Sequence, residues 1–97
     1  MLELYVYPEA EKEITASFEW YEEQAIGLGI DFVSELDRAI DSIQSLPHVW
    51  PKYQIHYQRF LLSRFPFSVV FEVEEHKIIV YAVMHNSRKP GYWNDRK

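Results

Sequence analysis

The strongest constraint on the fold of this chain is the run RFLLSRFPFSVVF at residues 59–71, because strand-forming side chains lie on both sides of a proline. From Phe67 to Val73, apolar side chains alternate with mostly less apolar ones, the period expected when one face of a strand is buried. The range Ile55–Phe65 is rich in aromatic and aliphatic residues that favour a half-buried strand. Pro66 has no amide proton for a ladder, so we place it at the connection between two adjacent strands. The run therefore predicts a β-hairpin, with Arg64 entering its turn.

Length and composition indicate one domain over residues 1–97. The chain is 47% hydrophobic and 16% aromatic and has only three glycines, which is typical of a globular protein. No apolar run approaches the roughly 20 residues that span a bilayer, and the amino terminus lacks a basic segment followed by an apolar one. We therefore expect a cytoplasmic protein that does not associate with membranes.

The absence of cysteine excludes disulfides, thiolate catalysis and cysteine-ligated zinc or iron–sulfur centres. His48, His56 and His76 have no carboxylate at a spacing typical of metal ligands. We expect neither a metal site nor another cofactor.

Charge is distributed unevenly along the chain. Residues 1–50 hold two basic and eleven acidic residues, a net charge of −9, whereas residues 51–97 hold eight basic and four acidic residues, a net charge of +4. The total of −5 argues against a general nucleic-acid binder. The basic second half nevertheless suggests an anionic partner for that part of the molecule.

Two amphipathic helices are predicted between a first strand at residues 2–6 and the hairpin. Pro8 suits the first turn of a helix, and Gly27 and Gly29 interrupt the helical pattern. Asp31 is then expected to cap the second helix. The two apolar stripes, at spacings of three and four, are Ala10, Ile14, Phe18, Tyr21 and Ala25, followed by Phe32, Val33, Leu36, Ile40, Ile43 and Leu46.

Both stripes need a partner surface, and the strands supply it. We expect Phe18, Phe32, Leu36 and Ile40 to be buried and Trp20 with Tyr21 to pack in the core or between the helices. Residues 78–84 are apolar on both faces and predict an interior strand. The fold class is therefore α+β, in the order β-α-α-β-β-β, with a helical hairpin on one face of a small antiparallel sheet.

Several short motifs occur along this order of elements. They are Pro8-x-Ala10, Trp20-Tyr21, Gly27-Leu28-Gly29 before Phe32, Leu46-Pro47, Arg64-Phe65-Pro66-Phe67 and His85-x-x-Arg88-x-Pro90.

In this order and spacing, the motifs resemble the RelE/ParE superfamily of toxins from bacterial type II toxin–antitoxin systems. The likeness covers nearly the whole chain. It implies a fold like that of small ribonucleases, a cognate antitoxin encoded next to the toxin, and one of two targets: DNA gyrase, or mRNA on the ribosome.

Cleavage of RNA needs a group that takes the 2′-hydroxyl proton, a group that protonates the leaving oxygen, and cations that stabilise the phosphorane. His85 titrates in a suitable range, and Arg64 and Arg88 carry cations for phosphate. The resemblance places catalytic positions of the mRNA-cleaving branch at residues like Arg64 and His85. The catalytic candidates of a nuclease are therefore Arg64, His85 and Arg88.

A target-binding surface is predicted on the basic second half, where the tail combines cations with two aromatic residues that look exposed and suit stacking on a base. Its candidate residues are Arg59, Arg64, Arg88, Lys89, Tyr92, Trp93 and Arg96.

Three functions are compatible with these residues. The mRNA-cleaving branch usually adds lysines or a glutamate to its site, and Lys52, His56 and Arg59 of this chain are not clear equivalents of them. This incomplete catalytic set and the acidic total charge favour the ParE-like plasmid stabilisation branch, in which a toxin arrests growth by binding gyrase and an antitoxin neutralises it. Arg64 and His85 favour the alternative, a ribosome-dependent mRNA interferase. The third is a non-toxic module that only binds a partner.

Overall fold

A computed structural model describes residues 2–54 and 56–96, so Ile55 of the predicted hairpin lies outside the described residues. Two helices and five strands follow the expected order, with one additional short strand before the hairpin. The elements are β1 (Glu3–Val6), α1 (Pro8–Gln24), α2 (Leu28–Ser45), β2 (Lys52–Tyr53), β3 (Tyr57–Leu61), β4 (Phe67–Val73), β5 (Lys77–His85) and a 3-10 turn (Asn94–Arg96).

The strands form one sheet in the order β1-β5-β4-β3-β2. The predicted hairpin is confirmed as the antiparallel pair β3 and β4, and β5 is confirmed as an interior strand. The α+β class is also confirmed, but the sheet is mixed rather than wholly antiparallel. The chain leaves β1 through the helical hairpin and returns so that β1 runs parallel to β5, with Glu3 beside Lys77 and Val6 beside Val80.

The turn between the helices differs from the sequence expectation. We expected Asp31 to cap α2, but α2 begins at Leu28, and Asp31 lies inside its first turn. Gly27 adopts φ 88°, which favours glycine, and the carboxylate of Glu22 accepts hydrogen bonds from the amides of Gly27 and Gly29 at 2.8 and 3.0 Å. A side chain of α1 therefore caps the start of α2 and fixes the hairpin.

The main core lies between the helical hairpin and one face of the sheet. Phe32 and Leu36 are buried there, as predicted, against strand residues such as Val69 and Phe71. Phe18 and Ile40 are only half-buried. The expectation that Trp20 packs in the core is wrong, because its side chain points outward and is 57% exposed, while Tyr21 beside it packs on the core.

The other face of the sheet is covered by the carboxyl-terminal tail instead of by a helix. Trp93 is completely buried and stacks on Tyr53 with 5.5 Å between ring centroids. Val70 and Ser68, which alternate with the core side of β4, are consequently buried as well. Both faces of the sheet are thus covered, one by the helices and one by the tail.

No helix among residues 2–54 and 56–96 combines the length and apolar character needed to cross a membrane.

Candidate functional site

The β3–β4 loop and the end of β5 lie at the same end of the sheet. Phe67 is opposite His85 in the register, and the Pro66 carbonyl accepts a hydrogen bond from the Asn86 amide at 2.8 Å. Pro66 lies in the loop, where its missing amide proton costs no ladder bond. This geometry places Arg64, on the loop, and His85, at the strand end, on one edge of the molecule.

Arg64 is an exposed residue on a well-anchored loop. Its guanidinium lies 3.5 Å from the Asp31 carboxylate, and both side chains are more than half exposed, so this pair contributes little to stability. The backbone is anchored separately, because the amides of Ser63 and Arg64 both donate to the carboxylate of Glu35 on α2. The loop backbone is therefore anchored to α2, while the Arg64 side chain remains exposed.

Glu35 is an acidic residue within the apolar stripe of α2, and it is buried. Burial raises the pKa of its carboxyl, but hydrogen bonds from the Arg64 and Ser63 backbone outweigh this and hold the pKa below its usual value. Glu35 lies three residues after Phe32 and therefore on the same buried face of α2. This spacing was a signal in the sequence for a structural carboxylate, but a search for apolar residues alone did not reveal it.

His85 is exposed, and its ring packs edge-on against Phe67 at 5.2 Å between centroids. Its Nδ1 accepts a hydrogen bond from the Ser87 amide at 3.1 Å and lies 2.7 Å from the Ser87 hydroxyl. In the neutral ring the proton therefore resides on Nε2. No carboxylate among the described residues is hydrogen-bonded to this imidazole, so it lacks the orienting acid found in many catalytic dyads.

The remaining cations are divided among different places. The Arg88 guanidinium lies over the Tyr92 ring, 3.9 Å from its centroid, and Lys89 next to it is exposed. The Arg59 guanidinium lies over the Tyr53 ring at 4.2 Å, on the face of the sheet that the tail covers. Arg59, Arg64 and Arg88 are thus paired with aromatic rings or an acid instead of converging on one phosphate position.

Three tail residues that were expected on an exposed binding surface instead make contacts within the fold. Trp93 is fully buried, so the expectation that its ring is exposed is wrong. The Arg96 guanidinium donates to both carboxylate oxygens of Glu13 at 3.0 Å, and the Tyr92 hydroxyl donates to the same carboxylate. Burial and the Glu13 carboxylate together raise the pKa of the Tyr92 hydroxyl. Glu13, which sequence reasoning missed, therefore ties α1 to the tail.

A groove lies between α1 and the end of β5, beyond Val80, the last β5 residue that pairs with β1. Its wider part is a cavity of about 460 Å³ whose wall includes the exposed Trp20 ring. Ala16 and Ser17 form the helix side, and their small side chains leave the groove open. The full lining is Glu13, Ala16, Ser17, Trp20, Tyr21, Pro66, Phe67, Val83, Met84, His85 and Arg88.

No cluster of three or more histidine, aspartate or glutamate side chains in residues 2–54 and 56–96 is arranged to hold a metal ion.

This architecture, a two-helix hairpin on one face of a five-stranded mixed sheet, defines a class of small α+β domain. Its fold is similar to that of a chain in the chromosomal ParDE toxin–antitoxin system from P. aeruginosa, with a TM-score of 0.67 and 20% sequence identity over 88% of this chain and 96% of that chain. The fold implied by the RelE/ParE resemblance is therefore confirmed. No protein-family model matches the sequence, and no curated protein sequence matches it.

Proposed function

We propose that this chain is the toxin of a toxin–antitoxin pair, that it arrests growth in the cytoplasm by binding a macromolecular target such as DNA gyrase, and that a cognate antitoxin neutralises it. The observation that carries this proposal is the likeness to a chain of a ParDE system over nearly the full length of both chains.

The arrangement of the cations supports binding in preference to cleavage. Transition-state stabilisation requires a base, an acid and cations aimed at one reacting phosphate. Here Arg64 is paired with Asp31, Arg88 is stacked on Tyr92, and His85 contacts Ser87. Each group is available for surface contacts, but they do not form one catalytic constellation.

A ribosome-dependent mRNA interferase is the second candidate, and one observation favours it. The β3–β4 loop that carries Arg64 and the end of β5 that carries His85 share one edge of the sheet. On the ribosome, groups of the RNA or of other proteins would then complete the site.

The test is induction of the full chain in bacteria, with growth, gyrase supercoiling and cleavage of ribosome-bound mRNA as readouts. We expect growth arrest, inhibition of supercoiling by the purified protein and intact mRNA. His85→Ala is expected to remain toxic, because it removes only an exposed ring. His76→Ala, at the turn on the opposite end of β5, is the matched control.

A His85→Ala protein that folds normally and is harmless, while His76→Ala arrests growth, would instead establish the interferase. If the parent chain causes no arrest at all, the toxin assignment is wrong and a partner-binding role replaces it.

A further inference from the structure

The outer side of β1 is an uncovered edge of the sheet. β1 is the first strand in the sheet order, and its one neighbouring strand among residues 2–54 and 56–96 is β5. The two central residues of β1 are exposed to solvent, Leu4 to 38% and Tyr5 to 48%. An edge strand of this kind presents main-chain donors and acceptors that can pair with a further strand.

The hydrogen bonds towards β5 show which main-chain groups of β1 face outward. The amides of Glu3 and Tyr7 donate to carbonyls of β5 and of the residue before it, at 3.1 and 3.0 Å. Successive residues of a strand direct their main-chain groups to opposite sides, so residues 3, 5 and 7 face β5. The amides and carbonyls of Leu4 and Val6 therefore face away from the sheet.

These four outward groups are available, and the groups beyond them are not. In the described part of the chain, residues 2–54 and 56–96, no group is hydrogen-bonded to the amide or the carbonyl of Leu4 or Val6. The next outward carbonyl, that of Leu2, accepts a hydrogen bond from the Gln44 side chain at 2.9 Å. On the other side, Pro8 has no amide proton. The free edge thus consists of two donors and two acceptors.

A second copy of the same strand matches these groups in one antiparallel register. With Tyr5 opposite Tyr5 of the second copy, Leu4 lies opposite Val6 at both ends, and each of these pairs exchanges two hydrogen bonds. A slide of two residues in either direction would require the Leu2 carbonyl, which is already occupied, or an amide proton at Pro8. The free groups therefore specify a twofold-symmetric pair centred on Tyr5.

The side chains on both faces are compatible with this register. Leu4 alternates with Tyr5 and shares the face of Val6, which packs against the main core, so Leu4 of one copy would lie beside Val6 of the other. On the opposite face the two Tyr5 rings would meet, and aromatic cross-strand pairs stabilise antiparallel strands. Glu3 is the one charged residue of β1. The two Glu3 residues would be roughly 13 Å apart along the strands, beyond the screening length at physiological ionic strength.

From these features we propose that this protein self-associates through β1, forming a symmetric dimer in which two antiparallel β1 strands join the two sheets into one. The partner at this edge is a second copy of the chain, selected by the register of the free groups, the apolar faces and the spacing of the charges. So short a strand pair buries less than the roughly 800 Å² per partner of a standard interface. We therefore expect a dissociation constant on the order of tens of micromolar.

The dimer leaves the candidate site of each copy free. β1 pairs with β5 only up to Val80, and His85 lies five residues further, about 16 Å along the strand. Two candidate sites would then be carried by one dimer, which raises the avidity for a target that has twofold symmetry. Self-association itself does not depend on the proposed toxin function.

The first test is analytical ultracentrifugation of the purified full chain over concentrations from about 5 to about 500 μM, which bracket the expected dissociation constant. We expect the mean mass to rise with concentration from 11.7 kDa towards twice that value. A chain that remains monomeric over this whole range would overturn the proposal.

NMR on a mixture of isotope-labelled and unlabelled chain locates the interface. We expect contacts between Leu4 of one copy and Val6 of the other, and slower exchange of both amides in concentrated samples than in dilute ones. Intermolecular contacts confined to the groove between α1 and β5, or to any other surface, would show that the dimer forms elsewhere. Protection of the two amides only after a different protein is added would assign the edge to that protein and overturn self-pairing.

A matched pair of variants tests the register. Tyr5→Lys places two like charges opposite each other on the twofold axis and should weaken dimerisation about tenfold or more. Leu61→Lys adds the same charge at a position that is 54% exposed on β3, with two strands between it and β1, and should dimerise as the parent does. Unchanged dimerisation of Tyr5→Lys, or equal weakening in both variants, would contradict the proposed interface. If Tyr5→Lys does not fold, the NMR measurement on the parent chain decides.

Discussion

Two carboxylates illustrate how single residues organise this small domain. Glu13 bridges α1, the β5 edge and the tail through the Val83 amide, the Tyr92 hydroxyl and the Arg96 guanidinium. Glu35 anchors the β3–β4 loop from α2. A buried acid remains charged only where donors surround it, and Glu35 satisfies this condition. Their value is positional, because each connects segments that share no ladder.

Replacing Glu35 by Gln should lower the free energy of unfolding at neutral pH by about 1–3 kcal/mol, because hydrogen bonds from two backbone amides to a charged acceptor are weakened. Folding depresses the pKa of Glu35, so its contribution is present above the unfolded-state pKa of about 4.3 and is lost as pH falls through the lower folded-state pKa.

The measurement is urea denaturation of the parent and the variant at several pH values. The difference between them should be largest near neutrality and should shrink in acid below the ordinary glutamate range. Asp37→Asn, at an exposed position of the same helix, is the control. A Glu35→Gln protein as stable as its parent at pH 7 would show that the loop is held by other contacts.

At the scale of elements, the periodicity of apolar residues was sufficient to predict the two helices, the β3–β4 hairpin and the faces that these elements bury. It was sufficient because Phe32 and Leu36, or Val69 and Phe71, repeat with the period of their own element. The parallel pairing of β1 with β5 was not accessible in this way, since a strand's period does not identify its neighbour. Nor did any period reveal that Trp93 covers the second sheet face, because the tail has no regular repeat.

The helical hairpin depends on α2 packing against the sheet. Leu36→Ala removes a buried side chain and should cost about 2–5 kcal/mol, the usual range for such a cavity. Ile30→Ala, on the same helix at a position that is 59% exposed, should change stability by about 0.5 kcal/mol or less.

Thermal and urea unfolding, followed by far-ultraviolet circular dichroism, would measure both variants. Similar stabilities for Leu36→Ala and Ile30→Ala would mean that the buried stripe of α2 does not face the core.

For the molecule as a whole, the two layers on the sheet are joined by the tail. Trp93 packs on one face, and Arg96 reaches Glu13 on the helix that covers the other face. The candidate site at the end of β5 therefore lies between a loop anchored by α2 and a tail anchored by α1. Arg64, His85 and Arg88 were candidate site residues from the sequence and remain so. Their contacts with Asp31, Ser87 and Tyr92 were not predicted, because those contacts depend on the folded geometry.

Removal of the tail should consequently destabilise the whole domain. Deleting residues 88–97 removes Trp93, whose truncation to Ala alone is expected to cost about 3–5 kcal/mol, against a total stability of about 5–15 kcal/mol for a domain of ordinary stability. Trp93→Phe should cost less than Trp93→Ala, because it retains an aromatic ring and the indole N–H has no acceptor among residues 2–54 and 56–96.

Scanning calorimetry of the three altered proteins should give the highest melting temperature for Trp93→Phe, a lower one for Trp93→Ala and the lowest for the deletion. The double variant Arg88→Ala, Lys89→Ala is the control, since it neutralises two exposed tail cations and leaves the buried part intact. A deletion protein that melts within a degree or two of its parent would show that the tail does not stabilise the sheet, and loss of toxicity on deletion would then report the binding surface instead of the fold.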